Sequence, residues 1–134
     1  MLYYLKMYAV TFAVFFVIDI IWLGVVARSF YRQQLGHLMK DNVNWTAAII
    51  FYALFIAGVL FFVLHPALQR ESWTYALWVG ALFGLISYAT YDLTNLATLK
   101  DWPLVMAVVD LVWGAVLAAS TAVISFFIMQ RLGG

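Results

Sequence analysis

The 134-residue chain has no cysteine, only two prolines, and charged side chains at just 10% of its positions. The missing cysteine excludes disulfides, thiolate metal sites and cysteine nucleophiles. The scarcity of charge excludes a soluble globular domain, in which about 25% of residues are charged and about 45–50% are apolar. Here 67% are hydrophobic. Seven Lys/Arg against six Asp/Glu leave no basic face, so nucleic acid is not an expected partner. Also missing are a nucleophile motif, a phosphate-binding loop, a His-rich metal set and the paired-aspartate signature of phosphoalcohol transferases. The sequence therefore calls for no metal and specifies no cofactor.

What it does contain is apolar runs of membrane-crossing length, about 20 residues each. The first lies between Lys6 and Arg28 and holds one charge, Asp19; it exceeds the roughly 7–15 residues of a signal-peptide core. The second, Trp45 to Leu64, has no charge and is bounded by Asn44 and by His65-Pro66, a start and a stop signal. A third begins at Trp73 behind a possible cap at Ser72 and carries Asp92 and Asn95 toward its end near Leu99. The fourth opens at Asp101-Trp102-Pro103, with Asp101 as the capping residue and Pro103 in the first turn, and carries Asp110. The expected fold is an all-α integral membrane protein, a four-transmembrane-helix bundle forming a single transmembrane domain over 1–134. Its helices are expected near 5–27, 45–64, 73–99 and 102–129. Trp45, Trp73 and Trp102 at the span ends fit an interfacial aromatic belt, and His37 and His65 at the boundaries are expected in solvent.

Between the first two spans the chain is too polar to cross. On a helical wheel Phe30, Tyr31, Leu35, Leu38 and Met39 share one half, whereas Ser29, Arg32, Gln33, Gly36, His37 and Lys40 share the other, with Gln34 the one misfit. That pattern predicts an interfacial amphipathic helix within 28–41. Arg28, Arg32, Lys40 and Lys100 lie at one end of the bundle, and Lys6, Arg70 and Arg131 at the other. The positive-inside rule weakly favours cytoplasmic placement of the first end, with both termini outside.

The informative residues are Asp19, Asp92 and Asp110, because a charge at bilayer depth costs about 2.5–3.5 kcal/mol even on insertion scales and marks a functional interior. Each lies about eight or nine residues from the same end, roughly 12–14 Å deep at the helical rise. Three helices therefore place a carboxylate in one layer. Without Lys or Arg at that depth, at least one of them is expected to hold a proton or face a bound cation, so that the group titrates as a unit. On the third helix Gly84, Tyr88, Asp92 and Asn95 share a face, with Tyr91 and Thr94 beside it. Above them Gly80-x-x-x-Gly84 is the small-residue spacing of closely packed membrane helices. Asp19-x-x-Trp22 and Asp110-x-x-Trp113 lie on antiparallel helices in similar apolar surroundings, as a short inverted repeat would. The candidate ligand-binding or proton-coupling set is Asp19, Asp92, Asp110, Asn95, Tyr88, Tyr91, Trp22 and Trp113. A plainer role is structural, with protonated or hydrogen-bonded carboxyls holding the bundle in register.

Three segments carry a family resemblance: Phe30-Tyr31-Arg32-x-x-Leu35-Gly36-His37-Leu38, Thr90-Tyr91-Asp92-Leu93-Thr94-Asn95-Leu96-Ala97-Thr98-Leu99 and Asp110-x-x-Trp113-Gly114. With them the chain resembles, over nearly its whole length, the small bacterial membrane family catalogued as domain of unknown function 2177. The resemblance implies a multi-pass protein of four spans in the bacterial inner (cytoplasmic) membrane. It implies no activity, substrate or catalytic residue.

Three functions remain open on the sequence. Carboxylates ringed by Tyr and Trp suit binding or transport of a small cation, a proton or an amphiphilic, amine-bearing ligand. Neighbouring carboxyls of different acidity would suit a membrane-embedded enzyme acting on a lipid or isoprenoid. A structural membrane subunit is the third. The expected partners are the lipid bilayer and a small cationic or lipid-like ligand. A homodimer is a further expectation at a size comparable to the small multidrug exporters, whose single-glutamate pattern this chain lacks.

Overall fold

The computed structural model describes residues 2–26, 28–36 and 44–133, and within them the chain is helical, with no strands. Helix α1 (Leu2–Ile21) passes into a π-helical turn, Trp22–Val26, and is followed by the short helix α2 (Arg28–Leu35). Helix α3 (Trp45–Gly58) continues through π-helical Val59–Leu64 into α4 (His65–Gln69). Helices α5 (Trp73–Thr98) and α6 (Leu104–Arg131) complete the bundle. Four stretches, Leu2–Gly24, Trp45–Gln69, Trp73–Thr98 and Leu104–Arg131, are long and apolar enough to span a membrane.

Local chemistry explains most of the boundaries. The Asn44 side chain accepts from the Ala47 amide at 3.1 Å, and Ser72 Oγ accepts from the Tyr75 amide at 3.1 Å, so each fills one of the unpaired donors at a helix start. Two expectations need correction. His65-Pro66 does not stop the second span, because Pro66 falls in the first turn of α4, where its missing N–H is tolerated, and the π-helical turn before it takes up the irregularity. Nor does Asp101 cap α6. It stands at φ 61° in the connecting turn, and extended Pro103 is the capping position, with no side-chain hydrogen bond. A residue preceding proline is driven from helical geometry, so Trp102 stays outside the helix.

Trp102 is also not an interfacial anchor. It is buried with Met106 and Ala107, and Phe30 of α2 and Leu96 of α5 pack against this cluster. Trp45 and Trp73 are exposed. The amphipathic helix between the first two spans is present over Arg28–Leu35, with Ser29, Arg32 and Gln33 exposed and Phe30 turned to the bundle. Leu38, Met39, Lys40 and His37, which the wheel also used, lie outside the described residues. His65 is not solvent-facing. It is half-buried beside the rings of Tyr3 and Tyr4, at 6.3 and 5.4 Å, with its Nδ1 buried and unpartnered.

The main core joins Met7 and Phe15 of α1, Phe55 and Ile56 of α3, Val63 and Leu64 of the π-helical segment, and Leu117, Ala122 and Phe126 of α6. Helices α5 and α6 form the most extensive contact in the molecule. Gly80 and Gly84 make it possible, since Gly84 lies against the Gly114 backbone and Ala118 while Gly80 faces Ala118, Ala119 and Ala122. Helix α5 packs well on Val59–Leu64 and α4 but has no comparable contact with α3. The two helices thus diverge toward the end that holds the aspartates.

Candidate functional site

The three aspartates carried by the candidate spans are turned inward: Asp92 is fully buried, and Asp19 and Asp110 are each 7% exposed. Each occupies the inner stripe of its helix, Asp19 following Met7, Thr11 and Phe15 at four-residue spacing on α1. Asp110 lies one turn before Gly114 on α6, and the absent side chain of Gly114 is what admits the Tyr88 ring, whose Cβ is 2.8 Å from the point where a Gly114 Cβ would stand. Close packing of α5 on α6 carries Asp92 to Asp110, and the two carboxyl groups meet in hydrogen-bonding contact.

That contact is chemically incomplete without a proton. An ionised carboxylate only accepts hydrogen bonds. Among the described residues neither oxygen of Asp92 finds a donor, and the group beside it is another carboxyl. Asp19 is held differently, accepting a hydrogen bond from the Trp113 side chain while remaining within electrostatic reach of Asp110. The Trp113 ring stacks on Trp22 with centroids 4.3 Å apart and planes 10° from parallel. The two Asp-x-x-Trp segments therefore meet face to face across α1 and α6. Among the described residues no three His, Asp or Glu side chains converge as a metal-ligand set. The carboxyls form a row, with Asp110 between Asp92 and Asp19.

Beside this row, divergence of α3 from α5 leaves a cleft of about 380 Å³ lined by Ala48, Phe51 and Tyr52 of α3, Ser87, Tyr88 and Tyr91 of α5, and Asp110 of α6. Of its lining residues Phe51 and Tyr91 are 45% and 52% exposed, so the cleft is open at the surface of the bundle. Tyr91 also packs edge-on against Trp102 at 5.5 Å and lies within electrostatic reach of Asp92 and Asp110. Tyr52 packs on Phe15 and Phe16 and is within the same reach of Asp19.

Of the residues singled out by sequence, Asp110, Tyr88 and Tyr91 line the cleft, while Asp92, Asp19, Trp113 and Trp22 stand behind Asp110 as its supports. Asn95 is half-buried one turn beyond Asp92 and does not line the cleft. Thr94 is exposed, its hydroxyl turned back to the carbonyls of Thr90 and Tyr91. Sequence reasoning missed Ala48, Phe51, Tyr52 and Ser87. Tyr52 had a legible signal, because it interrupts the most apolar run eight residues from Asn44, at the same depth as the aspartates.

No curated protein and no solved structure matches the chain. A family model described as "Predicted membrane protein (DUF2177)" matches residues 4–127. The aspartate row, the stacked tryptophans and the cleft all fall inside that match, and the chain belongs to this family of membrane proteins.

Proposed function

We propose that the cleft is a binding site, and a candidate transport site, for a lipid-soluble cation that enters sideways from the bilayer. The reading rests on Asp110, the one acidic residue lining a cavity whose other walls are four aromatic rings, Ala48 and Ser87, with Asp92 behind it. No Lys or Arg occurs in 7–26, 45–69, 73–99 or 102–130 to neutralise the row. Aromatic rings and a carboxylate together favour a cation whose surroundings are apolar. The cavity volume, about 380 Å³, lies within the usual range for small-molecule sites, about 300–1,000 Å³. An alkyl tail would extend past Phe51 and Tyr91 into lipid. In keeping with the family resemblance, the bilayer concerned is the bacterial cytoplasmic membrane.

The test is equilibrium binding of dodecyltrimethylammonium to the protein in nanodiscs of uncharged lipid. The expected result is saturable binding that weakens in Asp110→Asn by about 2 kcal/mol or more, roughly 30-fold or more in affinity. Partitioning that never saturates, or saturable binding unchanged in Asp110→Asn, would overturn the proposal.

A further inference from the structure

The Asp92–Asp110 contact bears on what a cation must displace, and the inference drawn from it rests on the proposed reading of the cleft. Asp92 is fully buried and neither of its oxygens has a donor among the described residues, yet its carboxyl touches that of Asp110. Two ionised carboxylates in hydrogen-bonding contact repel, whereas one carboxyl and one carboxylate form a strong O–H···O⁻ hydrogen bond. Asp110 faces both ways, meeting Asp92 on one side and the cleft on the other. A cation seated against Asp110 supplies the positive charge that the shared proton otherwise supplies.

We infer that proton and cation compete for the Asp92–Asp110 pair, so that binding of a lipid-soluble cation in the cleft expels a proton. The step balances as Asp92–COOH···⁻OOC–Asp110 plus R₄N⁺ giving two carboxylates with R₄N⁺ between them and the cleft, plus H⁺ released to water. No covalent bond other than O–H breaks. A positive charge a few ångströms from the pair disfavours the proton there, by a few kcal/mol at an effective dielectric constant of about 20, so the two oppose each other's binding. By linkage, the proton must weaken cation binding as much as the cation weakens proton binding.

Among the described residues the other ionisable groups facing the pair are few. Asp19 of α1 is within reach of Asp110 but is held by the Trp113 hydrogen bond. Tyr91 of α5 is within reach of both members of the pair, Tyr88 of α5 lines the cleft, and Tyr52 of α3 lies between the cleft and Asp19. The tyrosines carry no charge near neutrality. Exchange is therefore assigned to the two carboxyls in contact.

Dodecyltrimethylammonium suits the test because its charge is fixed and any proton that moves must come from the protein. Calorimetric titration in two buffers of different protonation enthalpy, with the protein in nanodiscs of uncharged lipid, counts the protons released per ligand bound. The expected count is close to one, with affinity rising roughly tenfold per pH unit over the range where the pair is protonated. In Asp92→Asn the amide donates to Asp110 permanently, so binding should persist with no proton released and little dependence on pH. Saturable, Asp110-dependent binding that releases no proton in the unsubstituted protein would overturn the exchange while leaving the reading of the cleft intact. Proton release retained in Asp92→Asn would also overturn it. Failure of saturable binding at every pH would overturn both.

Discussion

Replacing Gly84 by alanine tests how the aspartate pair is built. An added Cβ would stand 2.7 Å from the Ala118 Cβ and 2.8 Å from the Gly114 carbonyl carbon, and closer still to the Gly114 oxygen. Ordinary carbon contacts are about 3.5–4.0 Å, so α5 and α6 must part by roughly 1 Å. The obstacle is backbone and cannot rotate away. Overpacking of this kind costs about 1–3 kcal/mol, and the gain in helix propensity from Gly to Ala, about 1 kcal/mol, offsets only part of it. Parting of the helices also strains the Asp92–Asp110 contact two turns along, since a hydrogen bond stretched by roughly 1 Å is lost. Thermal unfolding in detergent should therefore fall by several degrees, with dodecyltrimethylammonium binding weakened as well. Three glycines form a graded comparison. At Gly80 the nearest atoms would be 3.1–3.3 Å away, a mild squeeze; at Gly58 the clash is with the far end of the Phe83 ring, which can turn; at Gly24 nothing lies within 4 Å. The reasoning fails if Gly84→Ala is as stable as Gly24→Ala, or if Gly58→Ala is the most damaging of the four.

Thr121 and Ser125 are fully buried with unpartnered hydroxyls, whereas Thr11 bonds back to the Met7 carbonyl at 2.8 Å. Thr121→Val removes an unsatisfied group while keeping its shape, so unfolding should show stability unchanged or raised by about 1 kcal/mol, and a clear loss would mean that the hydroxyl has an essential partner. Trp113→Phe keeps an aromatic ring to stack on Trp22 but removes the donor to Asp19, with an expected loss of about 1.5–3 kcal/mol in chemical or thermal unfolding. In an Asp19→Asn background the same replacement should cost measurably less, and strict additivity would show that the two side chains do not act together.

The four spans and the inward aspartates were legible because lipid punishes alternatives so heavily: an apolar run must cross, and a charge within it must find the interior. The Gly80-x-x-x-Gly84 spacing likewise announced a close helix approach, though not that α6 would be the partner, and the paired Asp-x-x-Trp segments meet as antiparallel helices allow. Helix ends were less legible. His65-Pro66 reads as a stop in any local rule, yet π-helical Val59–Leu64 carries the helix through it. Asp101 is a good capping residue in composition, but the constraint that Pro103 imposes on Trp102, together with burial of that ring, moves the start of α6 onward. An aspartate and aromatic pocket was legible, but not the wall that Ala48, Phe51 and Tyr52 of α3 give the cleft. It arises from the divergence of α3 from α5, a packing outcome that no periodicity within either helix encodes.

The central claim, that a lipid-soluble cation lodges beside Asp110 between α3 and α5, is tested most directly by photolabelling with a diazirine-bearing alkyl trimethylammonium in a bilayer, followed by peptide mapping. With the diazirine placed next to the headgroup, labels should concentrate on the segments holding Phe51 and Tyr52 and Ser87 to Tyr91. Excess dodecyltrimethylammonium should compete them away, and Asp110→Asn should lose them. Labels spread over lipid-facing positions such as Ile49, Trp78, Leu82 and Val112, indifferent to competitor and to Asp110→Asn, would contradict the account.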